Sequence, residues 1–207
     1  MRKKNTRNTK GRIIAAAWQL FYEQGYENTT IEDIVYESGT SKGSFYHYFP
    51  GKSALMGTLA DLFDERYEQL RPTLAEGMDA VEKLRYLNHE LFAMIEEKIA
   101  MDLLSHLLSS QLFAPGEKHL LDRNREYFKL LRQIVAEGRQ KGQLRTDRSV
   151  SDIVKIYALW ERALLYDWCL SGGEYSLVAY TDSVTPVFLE SYRARCGEGQ
   201  DHAHTAG

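Results

Sequence analysis

Cysteine is scarce. Cys169 and Cys196 are the only two in 207 residues, too few for a disulfide framework, and a reducing, cytoplasmic setting is expected. Four prolines and 15 glycines are too few for an all-β chain with many tight turns. No window offers the ~20 uncharged apolar residues that a membrane-spanning helix needs. The opening MRKKNTRNTKGR is basic, but no apolar stretch follows it, so a secretory signal is not expected. Metal and catalytic signatures are also missing. The six histidines (His47, His89, His106, His119, His202, His204) form no HExxH and no Cys/His cluster with zinc spacing. No GxSxG and no phosphate-cradling glycine loop occurs. The expectation is no catalytic residue, no metal and no cofactor.

What is present is a soluble balance of 43% hydrophobic and 27% charged residues, with an uneven charge. Net charge is −3. Residues 1–52 carry eight basic and five acidic side chains, leaving the remainder at −6. The first twelve residues hold six positive charges and no negative one. A basic head on an acidic body suits a polyanion partner; a solvated arm is the alternative.

Helical periodicity runs almost throughout. Ile13, Ala16, Ala17, Leu20 and Phe21 share one face of a helix over 9–24, which Gly25 is placed to end. Thr30 with Asp33 makes a variant capping box for a second helix, with Ile31, Ile34 and Val35 on its apolar side. A short third helix fits 41–47. Further helices are expected at 52–71, 78–98, 100–113, 117–141, 150–171 and 176–195, the last kinked at Pro186. The fold expected is all-α with about nine helices. A head at 1–54 would precede a larger body at 55–207, with a disordered tail from about 196.

The chemistry concentrates in TIEDIVYESGTSKGSFYHYFPGK, 30–52. Two short helices separated by a turn at Gly39 match a helix-turn-helix, whose second helix enters the major groove. Ile34, Val35 and Phe45 pack the pair together. Ser41, Lys42, Gly43, Ser44 and His47 stay outside, where Lys42 can address guanine O6 and N7 and Gly43 lets backbone come close. Phe45, Tyr48 and Phe49 point inward at helical spacing, whereas Tyr46 points out and can reach a phosphate. Lys52 sits at a helix start, where a cation is mildly unfavourable. A phosphate there would reverse the sign; otherwise it is a solvated lysine.

These residues resemble the TetR family of transcriptional regulators, most strongly over about 9–56 and above all in TSKGSFYHYFPGKSAL. Gly25, Thr29, Thr30, Ile34, Gly39, Lys42, Gly43, Phe45, Tyr46, Phe49 and Lys52 stand at the family's spacing. The resemblance implies a repressor-like homodimer on a palindromic double-stranded operator. By position, Thr30, Tyr46 and Lys52 would hold phosphates. Ser41, Lys42, Gly43, Ser44 and His47 would face bases or nearby backbone, and His47 and Tyr48 fill a pair that is often aromatic or histidine. The arm at 2–12 could add minor-groove or phosphate contacts.

In the body, 14 of the 18 residues in 153–170 are apolar. A helix apolar nearly all round is covered on both sides. With the last helix it would build a four-helix dimer interface from 150–171 and 176–195; an internal helix of a monomer is the alternative. The resemblance places an unknown small-molecule effector among the body helices. Tyr67, Phe92, His106, Phe113, Tyr127, Phe128, Tyr157 and Trp160 are candidate walls, or plain core. Such an effector would shift a conformational population, with 52–71 as lever; a swing from 1:99 to 99:1 takes ~5.5 kcal/mol of differential binding. A helical interaction adaptor without DNA binding is the rival reading.

Overall fold

The structure is a computed structural model that describes residues 6–113 and 118–194, leaving aside the side chains of residues 6–8 and 113. Much of the basic arm, Pro115, Gly116, Cys196 and the tail therefore lie outside the described residues, as does the side chain of Phe113. The described residues hold nine α-helices and no strand. These are α1 (Thr6–Gln24), α2 (Ile31–Glu37), α3 (Lys42–Tyr48), α4 (Gly57–Leu70), α5 (Ala80–Lys98), α6 (Met101–Phe113), α7 (Glu126–Gln140), α8 (Val150–Leu170) and α9 (Leu177–Glu190). The all-α expectation holds. The chain gathers into two compact units, residues up to 63 with 98–122, and 64–97 with those from 123 onward. Helix α4 begins in the first and ends in the second.

In the first unit, α1 buries Ile13, Ala16, Ala17 and Phe21, the face that its periodicity marks. Ile34 and Phe45 lie fully buried, and Val35 is half-buried. Trp18 Nε1 donates to Thr58 Oγ1 at 2.9 Å, tying α1 to the start of α4. At the turn after α2, Gly39 has φ +58°, where only glycine is free of strain. Arg12 fastens that turn. Its Nε donates to the Ser38 carbonyl at 2.9 Å and its Nη2 to the Gly39 carbonyl at 2.6 Å. The carbonyls of the turn that follows α2 are thus held by a side chain from α1.

The second unit packs α5, α7, α8 and α9 with the end of α4. Gly138 in α7 allows a close approach: a Cβ there would lie 2.4 Å from Ala80 Cβ and 3.0 Å from Leu144 Cδ1.

Three boundaries differ from the sequence reading. The helix expected over 117–141 is a 3₁₀ turn at His119–Leu121 followed by α7 from Glu126. Its start is set from outside the helix. Asp64 of α4 accepts Arg125 Nε and Nη2 at 2.9 and 3.1 Å and the Tyr127 amide at 3.2 Å, satisfying an orphan N–H. The helix expected from Lys52 opens as a 3₁₀ turn, Lys52–Met56, that buries Leu55 and Met56. The last helix ends at Glu190, not 195, because the chain then pairs with 143–145. Arg145 N–H donates to the Tyr192 carbonyl at 2.9 Å, and Ala194 N–H to the Gln143 carbonyl at 3.0 Å. Pro186 does lie inside α9.

Gly138→Ala weighs two effects. Helix propensity gains about 1 kcal/mol, but the Cβ overlaps a backbone-anchored methyl, and overpacking costs about 1–3 kcal/mol. The clash is expected to win, so the urea midpoint falls with the slope unchanged.

Candidate nucleic-acid interface and effector core

Helix α3 is built to present one face. Ser41 is its N-cap, its Oγ accepting the Ser44 amide at 3.1 Å and lying 3.0 Å from Ser44 Oγ. Phe45 anchors the helix in the core and meets Phe49 at 5.9 Å. Opposite lie Lys42, Gly43, Tyr46 and His47, all exposed, with Ser44 and Tyr48 half-buried. Tyr46 is 54% exposed, its ring edge-on to Phe45 at 5.5 Å. His47 and Tyr48 rings lie 4.8 Å apart.

Gly43 has no internal reason to be glycine. Its φ is not positive, and a Cβ would meet only Ser41 Oγ at an ordinary 3.8 Å. Glycine inside a helix costs roughly 0.5–1 kcal/mol relative to alanine. The bare backbone is therefore open to something outside the chain.

Lys42 pairs with Glu32 of α2. The hydrogen bond, reinforced by the opposite charge, lowers the Glu32 carboxyl and raises the Lys42 ammonium. Both groups are exposed, so salt weakens the pair. The sequence reading passed over Glu32, and also Tyr36 on α2, which is 87% exposed.

Two expected phosphate ligands have other engagements. Thr30 caps α2 with both of its donors: its amide and hydroxyl donate to Asp33 Oδ2 at 2.9 and 2.6 Å, and its Oγ1 accepts the Asp33 amide at 3.1 Å. These hydrogen bonds hold the Asp33 carboxyl below its ordinary value. Lys52 turns inward. Its Nζ donates to the carbonyls of Tyr26 and Thr29 at 2.6 and 2.9 Å and sits 4.1 Å from the Tyr26 ring centroid. Lys52 is therefore not a solvated lysine, since carbonyls and a π-face replace water around it, while Thr30 forms the capping box expected of it. Spacing along the chain does not show that the Tyr26–Thr29 turn lies within reach.

The eight expected effector walls divide. His106 belongs to the first unit, 4.2 Å from the Tyr26 ring and 3.3 Å from Glu27 Oε1. Phe113 lies outside the described side chains. Trp160 stacks on Phe188 at 4.4 Å. Phe92 is fully buried. Tyr67, Tyr127 and Phe128 form one ring cluster, 5.1 and 4.7 Å between neighbours, and Tyr157 is buried in the same unit. A groove of about 540 Å³ in this unit, lined by Met78, Glu82, Arg85, Tyr86, His89 and Asp182, includes none of the eight.

The tyrosine cluster surrounds a residue not singled out as a wall. Glu161 on α8 is 4% exposed. Its Oε1 accepts Asn88 Nδ2 at 2.9 Å and its Oε2 accepts the Tyr127 hydroxyl at 2.6 Å. Asn88 Oδ1 in turn accepts the Thr185 hydroxyl at 3.1 Å. Among the described residues no basic side chain pairs with Glu161; Arg162 acts only through its field. Burial pushes the Glu161 carboxyl up, against those hydrogen bonds. Burial, then the Glu161 charge, pushes the phenols of Tyr67, Tyr127 and Tyr157 well up. The Tyr67 hydroxyl is buried with no hydrogen-bond partner. Several kcal/mol of desolvation per buried ion stand against hydrogen bonding from Tyr127, Asn88 and Tyr157 at about 1.5–3 kcal/mol for each bond to a charge. The carboxylate at best breaks even, and an apolar side chain of the same size would do as well for core stability.

A helix-turn-helix with an exposed polar face on its second helix, joined to a helical unit with a buried polar cluster, defines a DNA-binding regulator of ligand-responsive type. The comparisons name the family. Residues 13–59 match the family described as bacterial regulatory proteins, tetR family, and residues 59–191 match the YsiA-like protein, C-terminal region. The chain belongs to the TetR family of transcriptional regulators. It is 52% identical over 48 residues to an HTH-type transcriptional regulator from Lactococcus lactis subsp. lactis, a match spanning 23% of this chain and 24% of that protein. It is 24% identical over 181 residues to the fatty acid metabolism regulator protein of Bacillus subtilis, 86% of this chain and 92% of that one. Thermus thermophilus FadR, a TetR-family repressor solved in complex with lauroyl-CoA, shares the fold with a TM-score of 0.75 at 24% identity, covering 96% of this chain and 100% of that one.

The raised Glu161 carboxyl has a signed consequence. Below the ordinary carboxyl pKa both states hold the proton and nothing is lost. As pH rises the unfolded chain gives up its proton first, so folding stability falls until the folded carboxyl has also ionised. Glu161→Gln is expected to flatten that decline. Denaturant midpoints across the acid-to-neutral range check it: a curve parallel to wild type would show that Glu161 is not the group responsible.

Proposed function

We propose that this protein is a cytoplasmic homodimeric repressor that binds a palindromic operator and is released by a small-molecule effector, acting by binding alone with no reaction of its own. The observation that carries the reading is the exposed face of α3, where an unforced glycine stands beside Lys42, Tyr46 and His47. Glycine there weakens a seven-residue helix and repays the cost only if a duplex approaches its backbone. Ser41, Lys42, Gly43, Ser44, Tyr46, His47 and Tyr48 meet bases and phosphates. Thr30 and Lys52 fix the frame that presents them. Lys42 exchanges Glu32 for DNA, a cheap exchange because the pair is exposed. In domain terms, residues 1–54 read DNA and 55–207 bind effector and partner.

The dimer reading rests on α8 and α9. Leu159, Leu170, Tyr180 and Val187 are exposed large apolar groups on these helices, Val187 at 77%. A two-fold pairing of the two helices would cover them. Release is mechanical. Helix α4 carries Thr58, the Trp18 partner, near its start and Tyr67 near its end. Moving Tyr67 moves the helix that fixes α1. Lauroyl-CoA, the ligand of the Thermus neighbour, belongs in any effector screen.

The test is a gel-shift titration against the chain's own upstream DNA. Affinity is expected to fall steeply with salt, by about 0.9 log units per log unit for each phosphate neutralised. Lys42→Ala should cost about 1–3 kcal/mol on the preferred site and relax base preference. Gly43→Ala should hold or raise helix stability while weakening DNA binding. Salt-independent binding, or full affinity in both variants, would leave the adaptor reading in its place. Sedimentation is expected to show a dimer that Val187→Glu dissociates, with loss of operator binding.

A further inference from the structure

The uncompensated carboxylate in the second unit has a chemistry of its own. Glu161 accepts from Asn88 and Tyr127 and interacts with the Tyr157 hydroxyl, and a carboxylate has about four acceptor sites. The Tyr67 hydroxyl, 2% exposed, has no partner. The rings of Tyr67 and Tyr127 lie 5.1 Å apart. Tyr157 is buried nearby, its hydroxyl donating to the Leu84 carbonyl at 2.9 Å. Negative charge, surplus acceptors and aromatic faces together are the chemistry that recognises an ammonium group. The outer field has the same sign, since residues 53–207 carry net −6. That field draws in cations and repels a ligand with several phosphates.

We infer that Glu161, with Asn88 and the tyrosines 67, 127 and 157, is a binding site for the positively charged nitrogen of an amphipathic amine or quaternary ammonium effector. The inference rests on the regulator reading above and names the chemical class of its effector. Entry parts the Tyr67 and Tyr127 rings, which come from α4 and α7. The cation takes the charge that the core leaves unpaired, and the conformer with parted rings is the one it stabilises. Tyr67 stands on α4, so a ligand that displaces its backbone displaces that helix.

Three probes sharing a twelve-carbon chain decide it: dodecyltrimethylammonium below its micellar concentration, 1-dodecanol, and lauroyl-CoA. Their affinities for the full chain are measured by calorimetry, against Glu161→Gln and Tyr67→Phe, with melting followed by circular dichroism to establish that each variant folds. The cation is expected to bind wild type at least tenfold tighter than the alcohol. Glu161→Gln should erase that preference while leaving affinity for the alcohol within twofold. Tyr67→Phe keeps the ring and the charge, so the preference is expected to survive in it, and its loss there would overturn the assignment of the cation to Glu161. If the Glu161 variant melts too low to use, loss of the wild-type preference when the carboxyl is protonated at low pH takes its place. Equal affinity for cation and alcohol in wild type overturns the inference, as does a preference that survives in Glu161→Gln, or binding of lauroyl-CoA alone. Operator binding of wild type is read in parallel. If it is present while the cation preference is absent, only the effector class fails. If it is absent while the preference is present, the site stands and the regulator reading fails.

Discussion

The reading head depends on one inward-facing cation. Lys52 holds the carbonyls of Tyr26 and Thr29, which end the connection between α1 and α2, and it does so from the turn that follows α3. The turn after α1 and the turn after α3 are therefore fixed to each other by a single ammonium, and the helix pair between them has little freedom left. The Tyr26 ring beneath the ammonium supplies electrostatic attraction where water is partly excluded. Arg12 does the corresponding work at the inner turn. Basic residues that look, in a list, like a coating for DNA are partly a frame. The charge that actually faces outward on the described head is smaller than the sequence total, and Lys42 stands out within it.

How much of this was legible follows from what each signal depends on. Local signals read well. The Thr30–Asp33 capping box, the stop at Gly39 and the apolar face of α1 are properties of three to eight neighbouring residues, and the structure keeps all three. The start of α7 did not read, because it is set by Asp64, some sixty residues away, and no local cap marks Glu126. The internal partners of Lys52 were hidden for a related reason: a donor looks free along a chain until the acceptor that folds against it is known. Glu161 was visible as a charge in the apolar stretch 153–170, but helical spacing alone could not say whether that charge lay on the covered or the open side.

The two polar features outside the ordinary logic of a core differ in kind. At Gly43 a stabilising side chain is withheld from a surface, and the cost is local helix propensity. At Glu161 a destabilising charge is kept in an interior, and the cost is desolvation. Both run against the stability of the isolated chain, and the two proposed ligands, a polyanion at the first and a cation at the second, would each offset that cost. Opposite charge preferences also keep the two ligands from competing for each other's site.

That separation bears on coupling. Two ligands influence each other only through an element whose position both of them bias. Helix α4 qualifies on covalent grounds: it is one uninterrupted helix from Gly57 to Leu70, with Thr58 bonded to Trp18 of the reading head at one end and Tyr67 beside the buried carboxylate at the other. Nine residues of helix span about 13 Å at 1.5 Å per residue, and a helix resists bending over that length far more than a loop would. Either Tyr67 swings alone about its side-chain bonds, in which case the effector site is silent toward DNA, or the helix moves as a body and Thr58 carries Trp18 with it. The close packing of Leu59, Ala60 and Phe63, all buried, disfavours small continuous adjustments of that helix and favours a discrete second position.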